Sequence, residues 1–119
     1  MVRVDKSVLM KILNRSRDLI NSGWCQGAQA RDSKGIIARA ELPGAVSFDI
    51  TGALFKVTAE LGCPQTDYVA VVNDVFDLTR PYLVSQKNTS MTDWNDSDGR
   101  TKEEVVNFFN IAIASLWRS

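Results

Sequence analysis

The chain has 119 residues, 45 % apolar and 24 % charged, with fourteen acidic and fourteen basic side chains and no formal net charge. That length fits a single globular domain spanning 1–119 with a core of its own, and neutrality removes any bulk electrostatic pull toward nucleic acid or anionic lipid. Histidine is absent, so the commonest general base, zinc ligand and near-neutral pH switch are missing together.

Cys25 and Cys63 stand apart without CxxC spacing, which argues against a zinc site and thioredoxin-like chemistry. A disulfide between them is the alternative to two reduced thiols. With nothing else pointing to secretion, reduced thiols and a cytoplasmic location are the expectation. Met1-Val2-Arg3-Val4-Asp5 lacks the apolar stretch of a signal peptide. No run approaches the roughly 18 apolar residues of a membrane span.

In chain order, Asp5 or Ser7 can cap a first helix running to about Ser22, with Leu9, Ile12, Leu13, Ser16, Leu19 and Ile20 at helical spacing. Gly23 is expected to end it in the left-handed conformation. The segment Ala28–Ala40 holds two short alternating runs around Asp32-Ser33-Lys34-Gly35, a tight-turn sequence, and reads as a small β-hairpin lying on the helices, with Trp24 as its contact.

A second helix is predicted over Ala45–Leu61, with Val46, Ile50, Ala53, Leu54, Val57 and Leu61 on one face and Asp49 beside it. Gly52 costs that helix about 1 kcal/mol in propensity, and close approach of a neighbouring helix would explain it. A third helix, capped by Thr66, is predicted to end or kink near Thr79 because of Pro81, with Tyr82-Leu83-Val84 continuing either as a last bent turn or as an extended return. Tyr68, Val69, Val72, Val75, Phe76 and Thr79 form its stripe. Lys87–Asp93 reads as a polar loop, and a fourth helix covers Lys102 to about Trp117 with Val105, Phe108, Phe109, Ala112, Ile113 and Leu116 on one face. The predicted fold is mainly α: a compact four-helix domain with a small β-hairpin inserted after the first helix.

The twelve residues from Trp94 to Val105 concentrate the polar signals. Thr101 and Glu104 have the spacing of a capping box, Asn95–Gly99 are turn formers, and Trp94 is large enough to plug the turn into the core. No Gly-rich phosphate loop, nucleophile–base pair or metal-ligand set occurs, and Asp93, Asp96 and Asp98 lack the spacing of a calcium loop. No catalytic residue, metal or cofactor is therefore assigned. The candidate binding set is Trp24, Gln26, Asp49, Trp94, Asn95, Asp96 and Arg100, provided the two loops that carry most of it meet. Carboxylates beside an arginine could bind a phosphate-bearing or amide ligand. Equally, the same residues could form a structural cluster in which Arg100 holds Asp96 across the turn.

Gly23-Trp24-x-Gln26-Gly27, then Ala30-Arg31-Asp32-x-x-Gly35, Gly52-Ala53-Leu54 and Trp94-Asn95-Asp96 with Arg100-Thr101 and Glu104-Val105 occur here in this order. As an ordered set over residues 8 to 115 they resemble a family of short proteins without an established activity, found in bacteria, notably actinobacteria, and in phages and other mobile elements. Members similar to this chain usually carry a cysteine where Asp49 stands.

Two function classes follow. The favoured expectation is a small non-enzymatic protein-binding or accessory protein, a phage- or mobile-element-encoded modulator of a host protein; an exposed Trp94 or Trp117 would support it. The alternative is a small enzyme or ligand-binding domain with a polar Asp/Arg/Gln pocket between the two loops, walled by Trp24 and Trp94. Nucleic-acid binding ranks third, resting only on the basic face of the first helix. Trp117 is expected either to complete the core or to sit in a dimer contact, so a homo-oligomer is open.

Overall fold

Five helices and one short ladder make up the computed structural model, which describes residues 3–119. The helix α1 (Lys6–Ser22) starts on Asp5, whose carboxylate accepts from the Val8 N–H. The strand β1 (Ala30–Arg31) pairs antiparallel with β2 (Ser47–Phe48), matching Ala30 to Phe48 and Arg31 to Ser47. Then follow α2 (Ile50–Glu60), α3 (Gln65–Ser85), the single-turn α4 (Met91–Asn95) and α5 (Lys102–Arg118). The domain is mainly α with a small two-stranded antiparallel element after the first helix, as the pattern predicts.

The helix α1 packs chiefly on α5 and α2, and α3 closes the other side against α2 and α5. Leu9, Ile12, Leu13 and Ile20 meet Ile50, Leu54 and Val57 of α2 and Phe108, Phe109 and Leu116 of α5 in one buried core. Each such side chain contributes about 1.5–3 kcal/mol on burial. The buried Asp74 carboxylate of α3 takes the N–H groups of Arg3 and Val4 at 2.8 Å, tying the start of the described chain to the bundle. No helix is long and apolar enough to cross a membrane among the described residues.

Several boundaries differ from the sequence expectation. The second helix begins at Ile50 because Asp49 caps it; Val46 lies outside it and is exposed, and Phe48 is in a strand. Gly23 is extended (φ −168°), not left-handed. Its role is close approach, since a Cβ there would lie 2.2 Å from the Val46 carbonyl oxygen. Gly52 is also a close-approach site, but its neighbour is the loop carbonyl of Gln29, 1.8 Å from where a Cβ would stand, and not a helix.

Pro81 lies inside α3, which continues to Ser85. An interior proline costs a helix about 3 kcal/mol. Here the ring is exposed, and the turn beyond it buries Leu83 and packs Tyr82 edge-on to Trp94 at 5.8 Å between ring centroids. The buried side of α3 runs through Val71, Val75, Thr79 and Leu83, leaving the predicted stripe member Val69 exposed. The polar stretch 87–93 read as loop contains the start of α4, capped by Ser90.

The turn at Asp32–Gly35 forms, with the Gly35 N–H donating to the Asp32 carbonyl and the Asp32 carboxylate accepting from Lys34 and Ile36. Its flanks meet at one Arg31–Ile37 bridge, while the ladder proper is made with β2. Trp24 bridges Phe48 of β2, which lies outside the Ala28–Ala40 segment.

Candidate functional site

The short helix α4 brings the two polar loops together. Ser90 accepts from the Asp93 N–H at one end, and Asp96 follows at the other. That single turn drives Trp94 into the core, where it stacks at 5.2 Å on Phe108, and turns Asn95 toward the loop after α1.

Asn95 is fully buried and uses its whole amide. Its Oδ1 accepts from the Trp24 Nε1–H at 2.9 Å, and its Nδ2 donates to the Cys25 carbonyl at 3.2 Å and to Asp96 Oδ1 at 2.9 Å. Gln26 Nε2 donates to the carbonyls of Asn95 and Ser97, both at 3.0 Å, and so satisfies the open carbonyl end of α4. The Gly27 N–H donates to Asp96 Oδ1 at 3.1 Å. The loops therefore meet, as the candidate set requires, and they meet by bonding each other.

Arg100 does not hold Asp96 across the turn. Its Nε–H donates to the Trp94 carbonyl at 2.8 Å, its guanidinium lies over the Trp94 ring, and its second branch reaches Glu104 at 3.2 Å. Glu104 completes the capping box with Thr101. The Thr101 N–H, and then the Arg100 charge, hold its carboxyl below the usual carboxylate range.

Asp49 lies apart from these bonds as the cap of α2, its Oδ1 accepting from the Gly52 N–H at 2.6 Å and the Thr51 hydroxyl at 3.1 Å. Burial pushes its carboxyl up to about 6; the two hydrogen bonds oppose that rise, and the charge of Asp96 adds to it. Burial also raises the Cys25 thiol. Both cysteines are free.

Trp94, Asn95 and Asp49 are buried, Trp24, Gln26, Asp96 and Arg100 half-buried. None of them lines the surface clefts bordered by Val8, Ile37, Tyr68, Leu19 or Val72. No three His, Cys, Asp or Glu residues are grouped to hold a metal ion among the described residues.

The exposed apolar side chains lie elsewhere. Between β1 and β2 the chain makes an excursion in which Ile36, Ile37, Leu42 and Val46 are between 47 % and 66 % exposed. Sequence reasoning missed this group by assigning Val46 to a helix face and Ile36 and Ile37 to a hairpin lying on the helices. The Ile-Ile pair directly after a tight turn was the available signal. Trp117 is 76 % exposed, so it does not complete the core.

The model of a family of unknown function (DUF6197) matches residues 8–115. No curated protein and no solved structure matches the chain.

Proposed function

The chain belongs to that family of unknown function, and from this premise we propose that it is a small non-enzymatic protein-binding module. The observation that carries the reading is the excursion between β1 and β2, with four apolar side chains open to solvent within eleven residues. Several exposed apolar side chains in one short segment of a small domain support a reading of that segment as an interaction site. The exposed Trp117 supports the same reading, because aromatic side chains dominate interface energetics.

Within this proposal the Trp94–Arg100 loop is the frame of the module, and the docking surface is the 36–46 excursion. A phage- or mobile-element-encoded modulator of a host protein, acting in the cytoplasm with both thiols reduced, is the setting that suits its size, neutrality and lack of histidine. The pocket alternative draws on one observation, the elevated carboxyl of Asp49 near Asp96. Perturbed carboxyls gather at functional sites, but burial as a helix cap accounts for this one.

The test is affinity capture from host lysate with three baits: wild type, the double variant Leu42→Asp with Val46→Asp, and Trp117→Ser. A specific protein held by wild type and lost by the double variant is the expected result. An unchanged set of retained proteins with the double variant would remove the excursion as the docking surface.

A further inference from the structure

Asp74 stands inside α3 with its side chain fully buried, and its partners come from the far end of the chain. The Arg3 N–H lies 2.8 Å from both carboxylate oxygens, and the Val4 N–H lies 2.8 Å from Oδ2. The Arg3 guanidinium adds a bond to Asp74 at 3.1 Å and one to Asp77 at 3.2 Å. Two carboxylates therefore share one arginine. No other lysine or arginine comes within ion-pair distance of either among the described residues.

Residues 3 and 4 thus form a strap read by two consecutive main-chain N–H groups and one cation. A buried carboxylate stripped of its donors is an uncompensated charge. The strap can leave only in exchange for a group that supplies the same donors. Nor does the strap use all the space beside it. Val4 packs on the core and borders a cleft of about 290 Å³ that Val8, Ile12, Ala70 and Val71 also line. Asp5, on the same cleft, is occupied as the cap of α1. An apolar side chain larger than valine in the Val4 position would reach into this space and bury more surface.

We propose that Asp74, Asp77 and the adjoining cleft form a binding site for an extended protein segment in which an arginine directly precedes a large apolar residue, and that Arg3 and Val4 hold this site closed in cis. The site shares no residue with the 36–46 excursion and does not depend on it. Asp74 and Asp77 select the arginine and the main chain through charge-assisted bonds. An intramolecular competitor acts at high effective concentration, so an outside segment needs a margin over the strap. The cleft beside Val4 supplies that margin. A strap that serves only to anchor the chain is the opposing outcome.

The test uses the isotope-labelled full chain, as wild type and as Arg3→Glu, whose strap both aspartates repel. Three blocked peptides are added. One carries arginine followed by leucine between glycines, one has glutamate for the arginine, and one is the first methylated at the arginine and leucine nitrogens. The arginine peptide is expected to shift the Asp74 and Asp77 amide resonances, and to bind Arg3→Glu tenfold or more tighter than wild type. Glutamate and methylation are each expected to cost tenfold or more. In wild type the arginine peptide is expected to move the Arg3 and Val4 amides to the positions of an unstructured chain. No binding of the arginine peptide to either protein at millimolar concentration overturns the proposal, as does equal affinity for the methylated peptide. Equal affinity for the two proteins places the peptide elsewhere and overturns it too. If Arg3→Glu does not fold, the wild-type chain decides: release of the Arg3 and Val4 amides by the arginine peptide alone upholds the site, and their retention overturns it.

Discussion

The Arg100 guanidinium lies over the Trp94 indole, its central carbon 3.9 Å from the ring centroid, while its Nε–H bonds the carbonyl of that same tryptophan at 2.8 Å. One side chain thereby fixes both the ring and the backbone of the residue that plugs α4 into the core. With 11 % of its side chain exposed, Arg100 is partly shielded from water, and its interactions are correspondingly stronger than those of a surface pair.

Arg100→Ala is expected to destabilise the fold by about 2 kcal/mol, combining a cation–π contact with a charge-assisted hydrogen bond. Arg100→Lys should recover less than half of that, since an ammonium cannot stack on the ring and bond the carbonyl with one planar group. Urea melts of the three proteins decide it, and a loss within error for the alanine variant would contradict the geometry.

Asn95→Asp preserves shape and removes both donors. The Cys25 carbonyl and Asp96 Oδ1 would then face an acceptor, so a loss of about 3 kcal/mol at neutral pH is expected, easing under acid as the new carboxyl protonates. Thermal unfolding at pH 7 and pH 4 reads both parts.

Asp49 makes a pH prediction of definite sign. Burial pushes its carboxyl in the folded state up to about 6 from an ordinary 3.8, so the folded state binds the proton more tightly. This group favours folding most below about pH 3.8, and that contribution is lost as pH rises toward 6. That rise corresponds to a difference on the order of 3 kcal/mol. Asn is as good a cap as Asp, so Asp49→Asn should gain stability relative to wild type by that order between pH 3.5 and 7. A flat difference over this range would place the Asp49 carboxyl near its ordinary value.

Glycines 52 and 44 form a matched pair. Gly52→Ala would push a methyl into the Gln29 carbonyl, and a loss above about 3 kcal/mol, or failure to fold, is expected. A Cβ at Gly44 meets nothing within 4 Å, so Gly44→Ala should stay within about 0.5 kcal/mol of wild type by the same melts.

Local chemistry was enough to read much of this protein. The capping box of Thr101 and Glu104, the cap at Asp5 and the stripes of the first and last helices each depend on residues within a few positions of one another, so periodicity and cap spacing expose them. The meeting of the Trp24 and Trp94 loops was legible only as a condition, because it joins residues about seventy positions apart. Tertiary packing decided the rest. α3 passes through Pro81 because Leu83 and Tyr82 find the core beyond it, and the second helix starts at Ile50 because β2 claims Ser47 and Phe48 for Ala30 and Arg31. Packing also turned Ile36, Ile37, Leu42 and Val46 outward, where a sequence pattern carries no direction. Hydrophobic spacing states which side chains want burial, and only the whole chain states which of them find it.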